Sequence, residues 1–211
     1  MQKSFDEIMH ELDFLLKGYS NEMRTNVNPY RFAQRKEKSP AFQYEPGDRT
    51  VHETLMEHVG TLPILATYFH GHVTEPVNLG RVLELLAVHD IGEIVVGDES
   101  TFTKKEDEGD IEQKEALKIL NEKHHAAYLE FKENKTNEAK FAKSVDKIAP
   151  DILDVLTDID ITAKRLKHFA NIELKNIPNT IEKFKSPHMQ WSTFFREFHA
   201  ELIKKLRGMF V

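Results

Sequence analysis

The sequence predicts an all-α fold. Apolar residues recur at three- and four-residue steps in one segment after another, the period of a single helical face. Helix-start signals (Ser4-x-x-Glu7, Asn78 and Thr136) stand in front of three of those segments. No segment shows a credible strand pattern, the alternation of apolar and polar residues. With 211 residues, 40% of them hydrophobic and 30% charged, the chain can bury one core and is expected to form a single domain over 1–211.

The first helix begins at the Ser4 capping box, with Phe5, Ile8, Met9, Leu12, Leu15 and Leu16 as its apolar face and Gly18 as its expected stop. Residues 19–51 are the least regular, broken by Asn26, Asn28, Pro29, Pro40, Pro46 and Gly47. That segment carries Arg24, Arg31, Arg35, Lys36, Lys38 and Arg49. It reads as an irregular loop or a lid bringing cations to an anionic ligand. A second helix runs from about His52 to Phe69 and buries Leu55, Met56, Val59, Leu62, Leu65, Ala66 and Phe69. Pro63 should kink it near Val59, one turn after His58. His70-Gly-His72 ends it as exposed histidines, and Asn78 caps the central helix.

Leu85 to Asp98 is the stretch on which the rest is organised. His89 and Asp90 sit inside the apolar period of Leu83, Leu86, Ala87, Ile91, Ile94 and Val95. An unpaired buried charge is expensive, so the pair becomes tolerable if a bound cation lies in the seam between the two side chains. Glu93, four residues after His89, projects on the same side one turn on, and Asp98 follows Gly97.

Residues 99–110 read as an acidic loop, followed by a helix from Asp110 to about Glu122 that carries Lys114 and Glu115. His124-His125 at its end reads as ordinary helix terminus rather than a second metal set. Thr136 caps a helix with Ala139, Phe141, Ala142, Val145 and Asp146, and Pro150 is expected to begin a new turn. Residues 176–187 look broken. Trp191, Phe194, Phe195, Phe198, Leu202, Ile203 and Leu206 form a last apolar stripe that fits core or a homodimer interface.

Composition excludes several classes. No run approaches the ~18 apolar residues of a membrane helix, and the acidic N-terminus is not a signal peptide. The absence of cysteine excludes thiolate chemistry and agrees with a cytoplasmic location. A net charge of −6 without a basic block argues against nucleic acid. A phosphate ligand must therefore find local positive charge.

The order His58, His89-Asp90, Asp146, on three separate helices, resembles the HD-domain superfamily of metal-dependent phosphohydrolases. The segments ETLMEH, LLAVHDIGEIVVGD and EFKENKTNEAKFAKSVDKIAPDI resemble its 5′-deoxynucleotidase branch, over a motif-bearing core of about 49–155; 165–211 lies beyond it. The resemblance implies a helical bundle with a metal site between its central helices, formed by His58, His89, Asp90 and Asp146. Two imidazoles and two carboxylates suit one divalent ion, Mn²⁺, Fe²⁺, Co²⁺ or Zn²⁺. The resemblance assigns Glu93 and Asp98 to catalysis and implies a small phosphate ester, a (deoxy)nucleoside 5′-monophosphate, as substrate. It also implies a substrate-binding arginine upstream of the first histidine. The family's Arg-Trp pair is missing here, and Arg49, then Arg31 and Arg35, are the candidates. Lys114 is a further one, and Glu57 could support an imidazole.

Overall fold

The computed structural model describes residues 4–100, 102–103 and 106–209. Helix α1 (Phe5–Asn21) opens with the expected capping box, Ser4 and Glu7 satisfying each other's backbone N–H groups. It runs past Gly18. A Cβ there would lie 2.8 Å from the Cβ of Ile94, so this glycine permits close packing rather than ending the helix. Of the expected apolar face, Leu15 packs on the core, together with Tyr19. Phe5, Ile8, Met9, Leu12 and Leu16 remain exposed.

Residues 19–51 are more ordered than their composition suggests. Strand β1 (Met23–Val27) pairs antiparallel with β2 (His52–Thr54) in a two-stranded ribbon. The register runs Met23 to Thr54 and Val27 to His52, with an irregularity between. In β1 the residues turned inward include polar Arg24 and Asn26, and all three β2 residues are buried, so no apolar period-2 signal exists to be read. Helix α2 (Pro29–Lys38) follows β1, its first N–H groups accepted by the Asn28 side chain. Asn28-Pro29 is thus a helix start, with Pro at the position where a missing N–H does no harm.

A second capping box, Thr54 with Glu57, opens α3 (Leu55–His70), which buries Leu55, His58, Leu62, Ala66 and Phe69. His52 and Glu53 belong to the ribbon, not the helix. Asn78 caps α4 (Leu79–Val88). The chain then departs from regular helix over residues 89–92 before the single turn α5 (Glu93–Val96). Gly97 closes that turn at φ +85°, a backbone region that favours glycine.

Gly92 is demanded by space. A Cβ there would lie 2.5 Å from the Glu112 carbonyl oxygen of α6 (Glu106–Ile119). Gly92→Ala is therefore expected to destabilise the protein by about 1–3 kcal/mol, the usual range for overpacking. A lower urea midpoint at unchanged m-value checks this, and an unchanged midpoint would contradict the close approach.

Helix α6 begins ahead of the expected Asp110. Helix α7 (His125–Glu133) ends at Asn134 in the left-handed region. Thr136 caps α8 (Asn137–Leu156), whose 20 residues continue through Pro150 rather than restarting there. Proline at 150 removes the helical bond to the Asp146 carbonyl. Helices α9 (Ile159–Ala170) and α10 (Ile177–Lys185) follow, α10 lying where a broken segment is expected, with Pro178 in its first turn.

Helix α11 (Thr193–Met209) turns Phe195, His199, Ile203 and Leu206 inward. Trp191, Phe194, Phe198 and Leu202 pack on the main core, so the stripe is core. That core lies where α8 meets α3, α4, α7 and α11. The fold is all-α apart from the ribbon. No helix among the described residues is long and apolar enough to cross a membrane.

Candidate metal centre

Helices α3 and α8 and the turn that follows α4 bring His58, His89, Asp90 and Asp146 to one point. Each residue offers a donor atom, and these atoms all lie within 4.8 Å of one another. The His58 Nε2 is 3.4 Å from Asp146 Oδ1 and 3.6 Å from Asp90 Oδ2. The His89 Nε2 is 3.0 Å from Asp90 Oδ2 and 3.7 Å from Asp146 Oδ1. All four residues are buried. Among the described residues no other group of this kind occurs.

Residues 89–92 explain how adjacent side chains reach one centre. On a regular helix, neighbours diverge by about 100°. Here regular helix ends at Val88 and the Ile91 and Glu93 N–H groups bond three residues back, to the Val88 and Asp90 carbonyls; His89 and Asp90 both approach His58 of α3, and His89 also approaches Asp146 of α8. The His89 Nδ1 donates to the Leu86 carbonyl at 2.8 Å. A carbonyl only accepts, so Nδ1 carries a proton and Nε2 is the ring nitrogen turned to the cluster. Both Nε2 atoms, of His58 and His89, are buried without a hydrogen-bond partner. Such unpaired buried ring nitrogens beside two carboxylates fit a divalent cation.

The electrostatics agree. Burial opposes protonation of His89, yet the carboxylates of Asp90 and Asp146 outweigh it and raise its pKa to about 10. Burial likewise opposes ionisation of Asp146, but Lys147, His58 and His89 hold it well below the usual carboxylate range. For His58, burial and the Arg24 charge depress the pKa. The cluster attracts positive charge.

Arg24 supplies much of it. The bulged register of the ribbon aims this side chain inward, where Nη1 lies 3.1 Å from Asp90, 3.1 Å from Glu93 and 3.2 Å from Asp98. Glu53 approaches its Nε at 3.9 Å. The Asp98 carboxylate also accepts from the Thr25 N–H at 2.9 Å, which locks it to β1. Burial and the charge of Asp90 push the Glu93 carboxyl well above its ordinary range, with Arg24 opposing.

Four expected positions fall elsewhere. Arg49 donates to the Arg24 carbonyl and lies over the Phe169 ring, bracing β1. Arg31 pairs with Glu57 at 2.8 Å. Arg35 sits over Phe42, and Lys114 is exposed on α6. None of the four lines the cavity of about 240 Å³ that opens beside the cluster. Its lining carries the cations Arg24, Lys132, Lys143 and Lys147 and the acids Asp90, Glu93, Asp98, Glu99, Glu112 and Asp146.

Glu57 is occupied by capping α3 and by Arg31. The carboxylate near the His58 Nδ1 is that of Glu53, at 3.7 Å. His124 lies by Glu84, and His125 Nε2 contacts the Leu120 carbonyl, both apart from the cluster.

Sequence reasoning does not single out Arg24 or Glu53, whose roles come from a ribbon with no sequence period. Nor does it single out Lys143, although its place three residues before Asp146 puts it on that residue's helical face.

Two solved structures resemble this chain along nearly its whole length. A predicted metal-dependent phosphohydrolase from Magnetospirillum magnetotacticum MS-1 superposes with a TM-score of 0.69 at 19% identity, covering 96% of this chain and 97% of that one. The PH0347 protein from Pyrococcus horikoshii OT3 gives a TM-score of 0.55 at 13% identity, covering 95% and 99%. At these identities the likeness shows the fold alone. No curated protein matches the sequence. Residues 44–185 match the HD domain, well over half of the chain and all four clustered residues. The chain belongs to the HD-domain family.

Proposed function

We propose that this protein is a metal-dependent phosphohydrolase acting on a small phosphate ester, with a (deoxy)nucleoside 5′-monophosphate as the leading substrate. The observation that carries the reading is the pair of orphaned Nε2 atoms facing two buried carboxylates. The name of the Magnetospirillum relative supports the same chemistry. His58, His89, Asp90 and Asp146 would hold one divalent ion, Mn²⁺, Fe²⁺, Co²⁺ or Zn²⁺, by their borderline-hard N/O set. When bound, such an ion supplies Lewis acidity, offsetting charge on the phosphoryl group and making water easier to deprotonate.

The chain's own residues do the rest. Glu93, buried beside Asp90 and 3.1 Å from Arg24, is placed to exchange a proton with the attacking water. Asp98, fixed by Arg24 and the Thr25 N–H, presents an immobile carboxylate at the cavity wall to orient that water or serve the leaving oxygen. Arg24 holds both acids in place. Glu53 steadies the imidazole of His58.

A phosphate-release screen over nucleoside mono- and polyphosphates, with each of the four metals added, tests this reading. Cyclic nucleotides need an added phosphatase, because opening the diester frees no phosphate. Turnover of monophosphates is expected. Turnover of polyphosphates or cyclic nucleotides alone would move the substrate assignment. No hydrolysis with any metal, together with nucleotide-induced thermal stabilisation, would make this a binding module instead.

A further inference from the structure

We infer that Lys143 is the residue that grips the phosphoryl group: its ammonium takes an oxygen of a substrate or product phosphate in the cavity beside the His58–His89–Asp90–Asp146 cluster. The inference rests on the proposed phosphohydrolase reading and names a substrate-binding residue for it.

The four cations lining the cavity differ in what already satisfies them. Arg24 points Nη1 at Asp90, Glu93 and Asp98. Lys132 is held by Glu112 at 2.7 Å, and Lys147 by Asp146 at 3.3 Å. Lys143 has no carboxylate partner among the described residues. Its Nζ rests over the face of Phe131, 3.9 Å from the ring centroid. The imidazole of His89 also packs against that ring, at 5.0 Å between centroids. Phe131 therefore fixes the ammonium at a set place relative to the cluster.

A ring face attracts a cation but does not neutralise it. A half-buried ammonium with no carboxylate in direct contact is costly to keep. Burial and the neighbouring Lys147 charge lower its pKa to about 7, with Asp146 and Asp90 opposing from longer range. A dianionic phosphate would supply a direct counter-charge, and the three N–H donors of a lysine suit it as a point-charge ligand. Lys143 lies one helical turn before Asp146 on α8. One phosphate can therefore face both the ammonium and the cluster.

The test measures binding, not turnover. Inorganic phosphate is titrated calorimetrically into the Mn²⁺-treated full-length protein, for the parent, Lys143→Met, Lys143→Arg and Lys132→Met. Bound manganese and circular dichroism are recorded for each. The expected result is phosphate binding by the parent and a loss of about 10- to 100-fold in Lys143→Met, the usual worth of one hydrogen bond between charged partners. Manganese content should be unchanged. Lys143→Arg should recover most of the affinity, and Lys132→Met should stay within about threefold, since its partner is Glu112 rather than the ligand. Should Lys143→Met unfold, the arginine variant and Lys132→Met still decide: a phosphate affinity lost equally through Lys132 overturns the assignment. So does a parent that binds manganese but not phosphate, or a folded Lys143→Met that binds phosphate as the parent does. If no variant retains manganese but phosphate binding still depends on Lys143, the clamp stands and the metal reading falls.

Discussion

Glu93→Gln is expected to keep its metal and lose about 10²–10⁴-fold in kcat, the usual contribution of a general acid or base. The substitution is nearly isosteric. An amide oxygen can still accept from Arg24, which now lies 3.1 Å from the carboxylate, so the local geometry should persist. What disappears is the ability to give or take a proton.

The stability of that variant carries a second signature. Burial and Asp90 raise the Glu93 pKa, so the folded state binds this proton more tightly than the unfolded chain. Such a group favours folding below its unfolded pKa and loses that contribution as pH rises through the folded value. Above that value the carboxylate is a burden that glutamine lacks. Glu93→Gln should therefore melt no lower than the parent at alkaline pH. A variant with parental kcat would remove Glu93 from the chemistry. One that lost its manganese would show that Glu93 acts by building the site.

Arg24→Met should produce the largest change in stability. Its guanidinium is the shared counter-charge of Glu53, Asp90, Glu93 and Asp98, all buried or nearly so. Deleting one partner of a buried ion pair costs about 3–5 kcal/mol because the remaining charge is left without compensation. For a chain of this size that corresponds to a fall in Tm of about 6–20 °C. Divalent metal should return part of the loss, since it brings positive charge to two of the same carboxylates. The check is differential scanning calorimetry with and without Mn²⁺. The manganese-induced rise in Tm is expected to be larger in the variant than in the parent. A variant that melts within about 1 °C of the parent would mean that these carboxylates do not depend on Arg24.

What the sequence reveals follows from how each feature is encoded. Helices with long apolar periods and side-chain caps, such as α3, α4 and α8, are legible because 3.6-residue periodicity and capping are local signals. The positions of His58, His89-Asp90 and Asp146 are legible as polar residues in such periods, and the structure brings them together. The ribbon was not legible. Its strands are short, β1 turns polar Arg24 and Asn26 inward, and its pairing partner lies across an intervening helix. Arg24 and Glu53 are therefore invisible as site residues until the ribbon is built. Pro29, Pro150 and Pro178 show the same limit: a proline marks a helix start at 29 and 178 but lies inside α8 at 150. Glycine at 18 or 92 records a neighbour in space, Ile94 or Glu112, rather than a turn. The surroundings of the expected substrate cations were hidden for a related reason. Arg31, Arg35 and Arg49 engage Glu57, Phe42 and the Arg24 carbonyl, partners that only the tertiary structure supplies.

The central claim is that His58, His89, Asp90 and Asp146 hold one divalent ion. Anomalous diffraction from crystals grown with Mn²⁺, collected on both sides of the manganese edge, tests it most directly. A single strong anomalous peak bounded by the two Nε2 atoms and the carboxylates of Asp90 and Asp146 is expected, and its loss in Asp146→Asn crystals. A fully manganese-bound protein with no peak among those four side chains, or with an equal peak in Asp146→Asn, would contradict it.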